Sequence, residues 1–356
     1  MITRTARPAH TPDWRSEMAA AIRSVSALLR HLDLEEAPVP AAVRDFPVRV
    51  PLPYADRIRR GDPSDPLLRQ VLAVPAEDLA VPGFGTDPLE EDAAGDGGLL
   101  RKYRGRALVI TTAACAIHCR YCFRRHFPYA DHQGTPARLA RTLEVLAREP
   151  RIEEVILSGG DPLSLPDERL GHLSEALRAI PHVRRLRIHT RLPVVLPARV
   201  DAALLAWLSR WQRPVVVLHV NHPREIDAAV AGACRDLLDA GALLLNQAVL
   251  LAGVNDDVDT LRELSLRLHD AGVVPYYLHM LDPVAGAAHF RVPEEHAARL
   301  HRALLDSLPG YLVPRRVREL PGHPAKQPLA PAPPAPSPDR GRPGGTGGTG
   351  AGADER

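Results

Sequence analysis

Six short apolar runs, at 107–111, 154–158, 186–189, 215–220, 242–249 and 274–280, constrain the fold of this chain more than any other feature. Amphipathic stretches at 137–148, 167–179, 198–211, 225–240 and 258–271 separate them, with apolar residues at helical spacing. Strand-length runs alternating with helices imply right-handed βαβ units and a parallel sheet. The runs start roughly 30 residues apart, the size of one such unit, except that the first gap also holds a loop. Six units predict a closed or partly closed barrel. Nearly every run ends in polar, chemically capable residues, such as Ser158-Gly159-Gly160-Asp161, His189-Thr190-Arg191, His219-Val220-Asn221-His222 and His279-Met280-Leu281-Asp282. Active sites of β/α barrels are built at those strand ends, so the pattern points to an enzyme.

The flanks read differently. Residues 13–32 are apolar at helical spacing, with Thr11 and Asp13 as candidate N-caps, and predict one helix. Residues 36–100 are rich in Pro, Gly and Asp and predict short helices joined by turns, one carrying a stripe of Leu67, Leu68, Val71 and Leu72. Residues 330–356 have hardly any large apolar groups and are expected to be disordered. The expected division is 1–98 as a helical and irregular extension, 99–312 as the barrel core, 313–329 as a separate segment, and 330–356 as the tail. A net charge of +2 gives no strong field for nucleic acid or an anionic membrane, and no stretch is long and apolar enough to span one. The N-terminus lacks the apolar segment of a secretory signal, which points to the cytoplasm. Only two of the 45 basic residues are lysines, Lys102 and Lys326. Arginine replaces lysine as a surface cation but not as a deprotonatable amine, so each lysine draws attention.

Three of the four cysteines, Cys115, Cys119 and Cys122, fall on one loop as C-x3-C-x2-C. One reading is a zinc site with His118 or His126 as fourth ligand, although structural zinc usually takes two separated ligand pairs. The other is a [4Fe–4S] cluster, which with three cysteines keeps one iron open. Cys234 reads as a buried small side chain.

The run Cys-Ala-Ile-His-Cys-Arg-Tyr-Cys resembles the signature of the radical S-adenosylmethionine (SAM) superfamily, and Ser-Gly-Gly-Asp-Pro resembles its glycine-rich segment. Together with Asn-His-Pro-Arg-Glu-Ile and Asn-Gln-Ala-Val-Leu-Leu-Ala-Gly-Val-Asn-Asp, the resemblance narrows to the lysine 2,3-aminomutase family over roughly residues 99–329. It implies an α/β fold, a partial (β/α)6 radical SAM barrel. It also implies a cluster on Cys115, Cys119 and Cys122, SAM, and pyridoxal 5′-phosphate (PLP) held as a Schiff base on Lys326. By the same resemblance, Gly159, Gly160, Asp161, His219 and Gln247 lie against SAM, and Lys102, Tyr103 and Arg106 against the PLP phosphate. Arg124 would grip the substrate carboxylate, and Asp282 and Glu319 the ε-ammonium of L-lysine. Lys102 stands where the family has arginine, and Glu319 where it commonly has aspartate. Two acidic positions favour a cationic side chain over a glutamate.

The implied reaction moves the α-nitrogen of L-lysine to the β-carbon, with a flavodoxin- or ferredoxin-type reductant and an isomerase activity. The motifs Arg-Arg-His-Phe-Pro-Tyr-Ala, Asp-Pro-Leu-Leu-Arg-Gln-Val-Leu and Pro-Gly-Phe-Gly-Thr-Asp-Pro-Leu-Glu-Glu resemble the branch that supplies (R)-β-lysine for elongation factor P, through a separate lysine ligase. A free-standing aminomutase for osmolyte or secondary metabolism, and a non-catalytic zinc-binding barrel, are the competing readings. A homo-oligomer stays open.

Overall fold

The structure, a computed structural model, describes residues 13–91, 95–96, 99–129 and 135–333. Ten strands form one sheet in strictly sequential order: β1 (Gly95–Asp96), β2 (Leu99–Tyr103), β3 (Arg106–Thr112), β4 (Glu154–Gly159), β5 (Arg185–Thr190), β6 (Val215–Leu218), β7 (Leu243–Val249), β8 (Val274–His279), β9 (Arg315–Arg318) and β10 (Gln327–Pro328). The pairs from β3 through β9 are parallel, and the outer pairs at both ends are antiparallel. The sheet is therefore an open barrel. The expected six strands are present, and a seventh parallel strand, β9, joins them from the segment read as separate. It was missed because Arg315-Arg316-Val317-Arg318 has a single apolar residue, and a strand at the margin of a sheet needs to bury little more.

Helices Pro136–Ala147, Asp167–Arg178, Ala202–Leu208, Ala228–Asp239 and Val258–Asp270 connect the strands, and Glu294–Ser307 precedes β9. Thr135, Asp201, Asp227 and Asp257 cap four of these helices, each accepting a backbone N–H from the first turn. Strand alternation sends Val155, Leu157, Leu186, Ile188, Val216 and Leu244 outward against the helices, all nearly fully buried. Each such side chain contributes roughly 1.5–3 kcal/mol relative to exposure. The opposite face carries Ser158, Arg187, His189, Val217, Gln247 and His279, which turn into the barrel.

The single helix expected over 13–32 is two, Trp14–Ala19 and Val25–His31. Ile22 leaves the helical path to pair with Val50 through two backbone hydrogen bonds, and Ser24 caps a new start on Ala27 N–H. Asp13 caps the first helix, while Thr11 lies outside the described residues. The tail from 334 onward also lies outside them, but residues 330–333 do not run free. Ala332 N–H donates to Ala298, and the Ala330 carbonyl accepts from Arg316. Among the described residues, no helix is long and apolar enough to cross a membrane.

Candidate active site

Laid flat, seven strands would put β3 and β9 about 29 Å apart. Curvature instead brings the ends of all of them around one cavity of ≈ 350 Å³. Cys115, Cys119 and Cys122 line it, as do Lys326, Glu319 and Asp282. Arg106, Arg124, Gly159, Gly160, Asp161, His219 and Gln247 line the same space. The side chains of Lys102 and Tyr103 lie outside the described part of the chain, and only their backbone, in β2, is placed.

The cysteine loop follows β3, and the N-terminal extension holds it from below. His118 N–H donates to Arg49 O at 3.0 Å, and Arg120 N–H to Gln70 O at 2.9 Å. Glu77, buried, accepts from Arg120 Nε at 2.9 Å and Nη2 at 2.5 Å, and from Arg125 Nη2 at 2.7 Å. The three half-buried cysteines sit above this clamp. Burial pushes the Cys122 thiol up to about 11 and Cys115 well above its ordinary value. Burial thus favours the neutral thiols, and a bound metal's charge would reverse that preference. His118 and His126 are engaged by the carbonyls of Pro47 and Ala285. Among the described residues, no three His, Cys, Asp or Glu side chains converge on a single-ion site, which the zinc reading requires. A four-iron cube takes one thiolate per iron, so its three sulfurs surround a group larger than a single ion.

Gly159 and Gly160 have a packing reason to be glycine. Gly159 has φ of +119°, and a Cβ there would lie 2.7 Å from Thr112 O; at Gly160 it would lie 2.5 Å from Ala114 O. The strand end thus presses against the start of the cysteine loop, tied by Gly160 N–H to Thr112 O and Asp161 N–H to Ala114 O. Asp161, which lines the cavity, is also held from within the protein. Its two oxygens accept from Thr190 Oγ1, Leu163 N–H, Arg191 N–H and Leu192 N–H, at 2.7–3.1 Å. Burial raises its pKa and these donors oppose the rise, so Asp161 straps β4 to β5 with no lone pair to spare.

Arg191, which that strap positions, emerges as a site residue. Its Nη1 donates to the Cys119 sulfur at 2.7 Å, and its buried Nε has no hydrogen-bond partner among the described residues. His219 Nε2 lies 2.9 Å from the Tyr121 hydroxyl, and burial pushes its imidazole down to about 3. Gln247 Oε1 lies 3.4 Å from His279 Nε2. The His189 Nε2 is buried and unpartnered among the described residues; burial, then Arg187, Lys326 and Arg124, keep that ring neutral.

At the other end, Lys326 Nζ donates to Glu319 Oε2 at 2.5 Å. Glu319 therefore meets an ammonium, but this chain's own. Arg124 is likewise engaged. Its Nε and Nη2 form a bidentate fork on Glu91, at 2.6 and 3.0 Å, and its Nη1 donates to Ser158 Oγ at 3.1 Å. Burial works against the Arg124 charge, and the Glu91 carboxylate overrides it and raises the pKa. Glu91, Glu77 and Gln70 come from the extension, whose irregular sequence carried no signal for them beyond isolated polar residues among apolar ones.

The Radical SAM superfamily model matches residues 109–264. The chain is 47% identical over 322 residues to an L-lysine 2,3-aminomutase of Escherichia coli (strain K12), covering 89% of this chain and 94% of that one. It is 44% identical to one of Haemophilus influenzae, over 88% of this chain and 94% of that protein. It is 35% identical to one of Clostridium subterminale, over 90% and 78%.

Proposed function

The chain belongs to the lysine 2,3-aminomutase family of radical SAM enzymes, and from that premise we propose that it converts L-lysine to (R)-β-lysine for the modification of elongation factor P. The observation that carries the reading is one cavity lined by three cysteines and by a lysine hydrogen-bonded to a carboxylate. Bound together, the cluster and SAM supply a hydrogen-abstracting carbon radical, and PLP supplies a conjugated carrier for the migrating nitrogen. Cys115, Cys119 and Cys122 would hold three irons. Arg191 Nε, unpartnered among the described residues on a guanidinium that reaches Cys119 through Nη1, suits an anionic cofactor group. Gly159 and Gly160 shape the wall there through backbone alone.

Lys326 is the one amine lining the cavity among the described residues, and it must shed a proton before it can act as a nucleophile. Glu319 Oε2 lies within hydrogen-bond reach of that proton. With Asp282, which lines the same cavity, it makes two carboxylates that favour a substrate with a distal ammonium and repel an anionic side chain. The Nε/Nη2 edge of Arg124 would bind the substrate carboxylate only if Glu91 gave up the fork, since a second bidentate partner has no place on that edge. On this reading the enzyme works in the cytoplasm, with a flavodoxin- or ferredoxin-type protein delivering the electron and a lysine ligase taking the product.

The test is anaerobic incubation of the reconstituted protein with L-lysine, SAM, PLP and a reductant, followed by chiral analysis. (R)-β-lysine that an elongation factor P ligase then transfers supports the reading. Absence of any β-lysine from protein loaded with cluster and PLP overturns it, and β-lysine that the ligase rejects moves the product to another pathway.

A further inference from the structure

Arg191 is 6% exposed and directly follows β5. Besides the Cys119 sulfur, its guanidinium reaches Gln70 Oε1 at 2.7 Å and Glu225 Oε2 at 2.8 Å, both through Nη2. These acceptors are fully buried and fixed in turn. Gln70 Nε2 donates to Glu225 Oε1 at 3.1 Å, and that oxygen also accepts the N–H groups of Asn221 and His222. Swinging the guanidinium away from the sulfur would leave the buried Glu225 Oε2 short of its donor, at about 1–3 kcal/mol, while Gln70 Oε1 would keep Asn221 Nδ2 and the Tyr121 hydroxyl.

We propose that Arg191 is a positioning residue that tunes the redox potential of the iron–sulfur cluster through its charge-assisted hydrogen bond to Cys119, with Gln70 and Glu225 setting the strength of that bond. The inference rests on the cluster part of the functional reading and is independent of the lysine substrate. Reduction adds one electron to the cluster and its thiolates. A cationic donor on a ligand sulfur stabilises that more negative state, so it raises the potential. Glu225 acts in the opposite sense, because its carboxylate offsets part of the guanidinium field. Removing the donor and removing the counter-charge therefore move the potential in opposite directions, a sign pattern that mere loosening of the fold does not produce.

The experiment is a redox titration followed by electron paramagnetic resonance on the full-length, anaerobically reconstituted protein, without SAM, PLP or lysine. Arg191→Met shifts the midpoint to a more negative potential than wild type. Gln70→Leu, which keeps Arg191 but unpins it, gives a smaller shift of the same sign. Glu225→Gln shifts it to a more positive potential. Wild-type midpoints in all three at full iron load overturn the proposal. If Arg191→Met takes up no iron, the other two variants decide, since both leave every cysteine and Arg191 in place: opposite shifts support the proposal, and equal or absent shifts overturn it. A wild-type protein that binds no iron overturns both this inference and the functional reading, whereas an iron-loaded protein without shifts overturns this inference alone.

Discussion

The two ends of the cavity are built on different principles. The cysteine loop is irregular in backbone yet held by buried charge: Glu77 spans Arg120 and Arg125, and the side chains of Glu77 and Arg120 are fully buried. The lysine segment is close to solvent. Residues 322–325 are exposed, Lys326 and Glu319 retain 19% and 16% exposure, and β10 adds only two residues to β9. A cluster must be met by three sulfurs at set positions, which favours a loop locked in advance. On the proposed reading Lys326 turns between a carboxylate and a cofactor, which takes room to move, and Gly322, with φ of +70°, gives the chain a turn there.

The largest expected effects separate the two ends outright. Cys119→Ala abolishes reductive SAM cleavage while PLP still binds, and Lys326→Ala loses the visible absorbance of bound PLP while iron and SAM cleavage remain. Either variant retaining β-lysine formation breaks the division of labour. Next comes Glu77→Gln, which removes one partner of a buried charge cluster. It should cost about 3–5 kcal/mol in urea unfolding. Iron retention falls with stability, while PLP binding to the surviving folded protein is unchanged. A variant as stable as wild type would show that the clamp is not what holds the loop.

A smaller effect tests the middle of the cavity. Glu91→Gln weakens the internal occupant of the Arg124 fork, so KM for L-lysine falls while inhibition by 1,5-diaminopentane, which has no carboxylate, stays constant. A rise in KM would mean instead that Glu91 orients Arg124 for the substrate. The smallest is a pH effect. His219 is neutral in the fold, its pKa pushed down to about 3 by burial and then by Arg191, against about 6.5 when unfolded. The unfolded chain binds the extra proton between these values, so stability is complete above about pH 6.5 and declines as pH falls. The slope reaches about 1.4 kcal/mol per pH unit for this one group. His219→Gln should flatten the urea midpoint between pH 6.5 and pH 5 relative to wild type, and an unchanged slope would assign the loss to other groups.

Much of the lining of the candidate site is legible in the sequence. Cys115, Cys119 and Cys122 announce themselves by spacing, and Lys326 by rarity in a chain that otherwise uses arginine. Gly159 and Gly160 were legible as necessary, although part of the need is close packing against Thr112 and Ala114. Glu91, Glu77 and Gln70 were not legible, because each is an ordinary polar residue until its partner is known, and those partners lie 33 to 155 residues away. The same blindness hid that Arg124 and Glu319 carry partners of this chain's own.

The sequence by itself determined the parallel sheet, the placement of chemistry at strand ends, and the loop that bears the cysteines. All three follow from local periodicity and short-range spacing, which a chain carries in one dimension. Only the tertiary structure decided that the sheet takes a seventh parallel strand and stays open, and that the extension at 13–91 forms the floor of the cluster site. It alone decided that Arg191 reaches the Cys119 sulfur. These outcomes depend on which buried charge meets which counter-charge, a pairing set by three-dimensional closure and by the cost of leaving a buried ion alone.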